Sequence, residues 1–236
     1  MKNDALKKRK SHLIIVIDGP AGAGKSSTAR EIARRTGIDY ADSGAVYRGF
    51  TLLWLRTQCE PDQLPQFARE RGLRFDFKGD DVRVFLDSED VSNEIRSGRV
   101  NDSVSEVATH VSVREQVTRI LKETARSQDV VMEGRDLGTV VFPEAELKFF
   151  LTADVKTRAE RRFREFEQKG ITICYTDVLE NVSARDKLDS ERAVAPLKKA
   201  DDSIEIDSSG MTFEEQMQAI LAHIARYRAS GEQGQR

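Results

Sequence analysis

The chain has 236 residues, 33% of them charged and 39% of the AVILMFWYC class, and 38 Lys and Arg against 40 Asp and Glu leave a net charge of −2. That is enough chain for one core with a smaller inserted domain, and the balance excludes a disordered chain and argues against a general nucleic-acid coat. Two distant cysteines, Cys59 and Cys174, exclude a disulfide framework and a Cys-rich zinc site, and the longest aliphatic run, Leu13–Ile17, is far too short to cross a bilayer.

Residues 1–11, with Lys7-Lys8-Arg9-Lys10, read as a flexible basic tail, either simply solvated or an acid-binding patch. No apolar segment with a small-residue cleavage site follows, so no secretory leader is expected and a cytoplasmic setting is the default. Leu13–Ile17 is continuous, apolar and mostly β-branched, the pattern of a strand buried on both faces of a parallel sheet. After a Gly-rich segment, Ser26–Arg35 reads as a helix with Ala29, Ile32 and Ala33 on one face, closed by Thr36-Gly37. Ile38–Ala41 has the length of a second strand.

Between 57 and 126 the pattern changes. Leu73–Phe77 and Val82–Leu86 alternate about Gly79-Asp80-Asp81, the signature of an antiparallel hairpin. Residues 104–125 then carry a helical pattern with Val104, Val107, Ala108 and Val111 on one face. Strand-length apolar runs return at Asp129–Met132, Leu147–Leu151 and Ser203–Ile206; 154–195 is charged and helical, Met211–Arg228 is an amphipathic helix, and 229–236 read as a flexible tail. The expectation is an α/β protein. A parallel sheet with helices on both faces would span 12–56 and 127–228, interrupted by a small antiparallel insert over 57–126.

Gly19-Pro20-Ala21-Gly22-Ala23-Gly24-Lys25-Ser26 fits G-x-x-x-x-G-K-[ST] between a strand and a helix. Its glycines let backbone N–H groups wrap a phosphate, with the next helix adding its positive end. Lys25 would reach the β- and γ-phosphates, and Ser26 would ligate Mg²⁺. Neither an Asn-Lys-x-Asp base reader nor an L-S-G-G-Q-like signature accompanies it, so a small kinase or a nucleotide-binding switch remains.

Three segments bear on the acceptor. In Asp42–Arg48, directly after the second strand, Arg48 is an anion clamp or a solvated surface arginine. In Glu133-Gly134-Arg135-Asp136-Leu137-Gly138, Glu133 could hold a Mg²⁺-bound water and Arg135 could grip a phosphate; alternatively Arg135 and Asp136 pair with each other. In Arg185–Arg192, Arg185, Asp189 and Arg192 fall on one helical face, and upstream Arg158, Arg161 and Arg162 do likewise. These helices are either salt-bridged surfaces or a mobile basic lid, about 156–195, over transferring phosphates.

These motifs, with Gly-Thr-Val-Val-Phe-Pro over 138–143, Ala193–Pro196 and Ser88–Arg96, resemble cytidylate kinases of the bacterial type, a family of P-loop nucleoside monophosphate kinases. The likeness runs over about 13–225. It implies a three-layer P-loop fold, a CMP-binding insert over 57–126, a short helical lid, and transfer of the ATP γ-phosphate to CMP or dCMP with Mg²⁺. Gly19, Pro20, Ala21, Gly22, Ala23, Gly24, Lys25, Ser26 and Ser27 would take the ATP phosphates. Arg48, Arg135 and Arg192 would hold the acceptor phosphate, with Ser43 beside them; Arg185 and Asp189 would contact the sugar; Ser105, Arg114 and Asp136 would read the base. Lys25, Arg135, Arg158, Arg162 and Arg192 would carry catalysis, and Arg161 would join the lid.

The base assignment is chemically sound. Cytosine offers an amino donor at N4 and acceptors at N3 and O2, which a carboxylate and a guanidinium complement, whereas uracil would leave both mispaired. Glu133 stands where the resemblance would place Asp, and Leu188 where it would place a basic residue. The acceptor phosphate is already anionic, so no general base is required, and His12, His110 and His223 need no catalytic role. A kinase of another small acceptor, an ATP-binding regulator and a nucleic-acid binder working through the tail are the rival readings. The expected partners are ATP and CMP or dCMP, without nucleic acid or membrane, and the expected state is a monomer.

Overall fold

A computed structural model describes residues 12–168 and 170–233. The basic run 7–10 and the end of the expected C-terminal tail, 234–236, lie outside the described residues.

The chain starts with strand β1 (Ile14–Asp18), helix α1 (Lys25–Thr36), β2 (Asp39–Asp42) and α2 (Ser43–Thr57). The insert follows: α3 (Leu64–Glu70), β3 (Arg74–Lys78), β4 (Asp81–Leu86), the two-residue β5 (Glu89–Asp90), α4 (Gly98–Val107) and α5 (Val111–Ser127). The alternating unit then resumes with β6 (Val130–Gly134), β7 (Leu147–Thr152), α6 (Val155–Gln168), α7 (Tyr175–Glu191), β8 (Ile204–Asp207) and α8 (Phe213–Gln233).

The central sheet has the order β2-β6-β1-β7-β8, with every neighbour parallel. Both β1 and β6 are buried along their whole length, which is why they are continuous apolar runs without alternation. In this order β1 and β6 are neighbours while their connections cross to other strands, so a crevice opens at their carboxyl ends. The register brings Asp18 level with Gly134 and Asp42 level with Glu133 there. Every segment singled out for chemistry in the sequence begins at that edge or follows it.

The insert forms a second, antiparallel sheet, β3-β4-β5. Val82, Val84 and Leu86 alternate with exposed Asp81 and Arg83, burying one face. The hairpin turn docks on the core: Tyr40 N donates to the Gly79 carbonyl at 2.7 Å, and Gly79 N to Asp39 Oδ1 at 2.6 Å. The helical run expected over 104–125 is two helices, broken at Ala108–His110. His110 is extended (φ −73°, ψ 125°) and its carbonyl accepts from Arg114 N to start α5, while Arg114 Nη1 donates to the Ala108 carbonyl at 3.2 Å. The break turns Arg114 inward. Helix α8 carries on through 229–233, residues expected as tail.

Candidate active site

The loop after β1 is shaped by two constraints. Gly19 has φ +150°, and a Cβ there would lie 2.0 Å from the Leu151 carbonyl oxygen, so only glycine lets β1 turn away from β7. Gly24 (φ +90°) starts α1 in the left-handed region, and the free N–H groups of the first helical turn follow it. Lys25 is buried and donates to the Pro20 carbonyl at 2.8 Å, spanning the cradle it belongs to. Burial first, then the nearby Arg135 charge, lowers its pKa to about 7.

Ser26 opens toward solvent on the first turn of α1, and its hydroxyl donates to Glu133 Oε1 in a short hydrogen bond. Tyr40 OH donates to the same oxygen at 3.1 Å. Ser43 Oγ donates instead to the Glu133 carbonyl at 2.7 Å, so it braces β6 against α2. Ser27 is exposed beside Ser26.

The loop after β6 separates its two charged residues. Arg135 Nε pairs with Asp189 of α7 at 2.7 Å, and Asp136 takes Arg114 Nη2 at 2.5 Å and Arg192 Nη2 at 3.2 Å. The alternative in which Arg135 and Asp136 pair with each other is therefore not the one formed. Residues Leu137–Val141 make one wide helical turn, with Phe142 N on the Leu137 carbonyl at 2.6 Å. Leu137 N and Gly138 N donate to the buried carboxylate of Asp18 at 3.0 and 2.7 Å. Burial raises the Asp18 pKa to about 6, and those two hydrogen bonds limit the rise.

Asp42 caps α2 by accepting from Ala45 N at 2.9 Å, and it also takes Arg48 Nη2 at 2.8 Å, with Arg96 of the insert at 3.6 Å. Arg185 sits on α7 among Arg135, Arg48 and Arg162. Burial first, then Arg135, lowers its pKa, with Asp189 opposing. Among the described residues, two buried side-chain nitrogens have no hydrogen-bond partner: Arg48 Nε and Arg185 Nε. Unpaired buried donors are rare in folded proteins, and two guanidinium nitrogens in one like-charged neighbourhood suit an anion.

The arginines of α6 divide. Arg158 is buried and fully engaged. Its Nε donates to the Ala153 carbonyl at 2.8 Å, Nη1 to the Ala21 carbonyl at 3.0 Å, and both Nη groups to Asp186 at 2.9 and 2.6 Å. Arg161 Nη2 donates to the Ser208 carbonyl at 2.8 Å, with Nη1 3.4 Å from the Ala23 carbonyl. Both hold the cradle's backbone. Arg162 pairs along its own helix with Glu165 at 2.7 Å and lies over the Phe166 ring. Ser105 is half-buried on α4, the helix that leads into the Arg114 turn.

Asp18, Tyr40, Arg96, Asp186 and Ser208 had no role in the sequence reading. Asp18 did carry a signal, a carboxylate ending a continuous buried strand; the others acquire partners only through the fold.

A family model described as cytidylate kinase matches residues 15–226. The chain is 45% identical over 215 residues to a cytidylate kinase of Bacillus pumilus, covering 90% of this chain and 96% of that one. It is 39% identical over 216 residues to one of Fusobacterium nucleatum, covering 91% and 98%, and 42% identical over 215 residues to one of Caldanaerobacter subterraneus, covering 90% and 94%. With a G-x-x-x-x-G-K-S loop after β1 and a group of arginines beyond the carboxyl ends of β2 and β6, the chain belongs to the cytidylate kinase family, and its activity is phosphoryl transfer from ATP to CMP or dCMP.

Proposed function

We propose that Arg48, Arg135 and Arg192 gather the acceptor nucleotide's phosphate, that Arg114 and Asp136 read cytosine with Ser105, and that Asp189 serves the sugar; Arg185, expected at the sugar, is reassigned to the phosphate because its unpaired Nε lies among Arg135 and Arg48. The unpaired Arg48 Nε and Arg185 Nε carry this reading. Asp136 is buried between the guanidiniums of Arg114 and Arg192, and its side-chain oxygens are of the kind that accepts from cytosine N4. Residues 57–126 form the acceptor-binding insert and about 156–195 the lid.

On the donor side, the cradle from Gly19 to Ser27 wraps the ATP phosphates, and Lys25 neutralises charge on the transferring group. With the acceptor oxygen held in line, no proton needs to be removed, so catalysis is positioning and charge neutralisation. Arg158 fixes the cradle backbone; Arg162 must leave Glu165 to reach a phosphate.

Among the described residues no group of three or more His, Cys, Asp or Glu is arranged to hold a metal. That suits Mg²⁺, which takes one or two protein oxygens and fills its shell with phosphates and water. The Ser26 hydroxyl and Glu133, already hydrogen-bonded to each other, fit the role, Glu133 through water. Mg²⁺ held there supplies charge neutralisation at the β- and γ-phosphates. No described helix is long and apolar enough to cross a membrane; we place the enzyme in the cytoplasm as a monomer acting on small molecules.

The test is initial-rate ADP formation with CMP, dCMP, UMP, AMP and GMP, alongside direct binding of CMP and cytidine to wild type, Arg48→Met and Arg185→Met. CMP and dCMP should lead the panel. Each variant should weaken CMP binding by about 10–100-fold, the worth of one or two charge-assisted hydrogen bonds, and leave cytidine binding unchanged. Equal loss for CMP and cytidine would remove both arginines from the phosphate.

A further inference from the structure

Asp18 ends β1 one residue before the first glycine of the cradle and is 5% exposed. Phosphoryl transfer as derived above does not use it. A buried carboxylate is costly unless hydrogen bonds offset the loss of water, and here both oxygens are engaged by backbone N–H groups of a single turn, Leu137 on Oδ1 and Gly138 on Oδ2. That turn is close-packed: a Cβ on Gly138 would meet Lys148 Cδ at 3.3 Å and Asp18 Oδ2 at 3.4 Å.

The turn begins immediately after Asp136. Val140 N donates to the Asp136 carbonyl at 2.9 Å, so the backbone of the base-reading residue is the turn's first acceptor. The position of Asp136 between Arg114 and Arg192 therefore depends on how the turn is seated, and Asp18 seats it. The same residue is followed directly by Gly19, which passes so close to β7 that a Cβ there would lie 2.0 Å from the Leu151 carbonyl oxygen. The acceptor loop is thus referenced to the most constrained point of the donor cradle.

We propose that Asp18 is a positioning residue for acceptor selection: by clamping the Leu137 and Gly138 amides it fixes Asp136 for reading cytosine against uracil. The inference rests on Asp136 reading the base. Asp18 touches neither nucleotide. It acts through the loop, so its loss should relax the choice of base and leave the handling of ATP intact. A role in stability alone would lower activity toward CMP and UMP by one common factor.

The experiment compares Asp18→Asn, Gly138→Ala and Asp136→Ala with wild type, measuring kcat/KM for CMP and for UMP and KM for ATP. Asn at 18 keeps one acceptor oxygen but sets an NH2 against the other amide. The expected result is a fall of at least tenfold in the CMP/UMP ratio for Asp18→Asn, with KM for ATP within threefold of wild type. Amide hydrogen exchange should rise at Leu137 and Gly138. Gly138→Ala brings a Cβ to 3.4 Å from Asp18 Oδ2, an ordinary contact, and to 3.3 Å from Cδ of the flexible Lys148 side chain, so it serves as a control that should leave the ratio within about threefold. If Asp18→Asn does not fold, Asp18→Ser, which shortens the clamp and removes its charge, takes its place. An unchanged ratio in whichever Asp18 variant folds, with Asp136→Ala lowering it, would overturn the role of Asp18. An unchanged ratio in Asp136→Ala would overturn the base-reading assignment itself, and this inference with it.

Discussion

Arg158 and Asp186 form a two-pronged ion pair, 2.9 and 2.6 Å, between helix α6 and helix α7, which carries Arg185 and Asp189. A third hydrogen bond from the same guanidinium holds the Ala21 carbonyl at 3.0 Å. One side chain thus ties the loop after β1 to helix α7.

Removing the Asp186 charge should be felt at both sites. Arg158 keeps two carbonyl acceptors, so the loss is smaller than that of a buried charge left bare. Asp186→Asn should cost about 1–3 kcal/mol of unfolding free energy in urea. It should also raise the KM for ATP and for CMP together. A change in one KM alone would show that the pair does not link the two sites.

Lys25, with its pKa lowered to about 7, is only partly protonated near neutrality. A polyphosphate in the cradle favours the charged form, so ATP binding should take up a proton between about pH 7 and 9. Calorimetry at about pH 8 in buffers of different ionisation heat should show uptake approaching one proton, falling toward zero at about pH 6. The same shift sets the stability of the free enzyme. A lysine lowered in the folded state binds fewer protons there than when unfolded, so its contribution is full above about pH 10.5 and is lost as pH falls toward 7. Lys25→Met should lose about 10²–10³ in kcat and show no proton uptake.

Glu133→Gln keeps the shape that receives Ser26 and Tyr40 but removes the charge. The Mg²⁺ concentration for half-maximal rate should rise about tenfold, as when groups that orient a metal's ligands are altered. An unchanged Mg²⁺ titration would remove Glu133 from the metal.

Two of the three positive-φ glycines of the cradle, Gly19 and Gly24, should differ in severity. Gly19→Ala places a Cβ 2.0 Å from a backbone oxygen and should cost more than about 2 kcal/mol or prevent folding. Gly24→Ala has open space around it and bears only the cost of φ +90°, about 1–2 kcal/mol. Thermal unfolding of the pair gives the order directly.

The centre of the parallel core was legible because β1 and β6 are buried on both faces and open as apolar runs. The P-loop was legible because glycine and lysine spacing is fixed by backbone geometry. Local periodicity failed at Ala108–His110: Val107 and Val111 keep helical spacing across a break that exists to aim Arg114. It also gave no means of dividing the arginines. Arg158, Arg161 and Arg162 share one helical face in sequence, yet two hold the cradle's carbonyls and the third pairs along its own helix. Asp186 lies in a segment so rich in charge that nothing marked it apart, because its partner is 28 residues away.

Few of the crevice arginines wait bare. Arg48 has Asp42 at 2.8 Å, Arg114 and Arg192 share Asp136 at 2.5 and 3.2 Å, and Arg135 has Asp189 at 2.7 Å. The protein carries its own counterions, fixed to the frame rather than drawn from solution. If the acceptor phosphate binds among these arginines as proposed, it would trade places with, or share, a carboxylate already present, and displace few dissolved ions. Affinity for CMP should therefore fall less steeply with ionic strength than the number of arginines facing it would suggest.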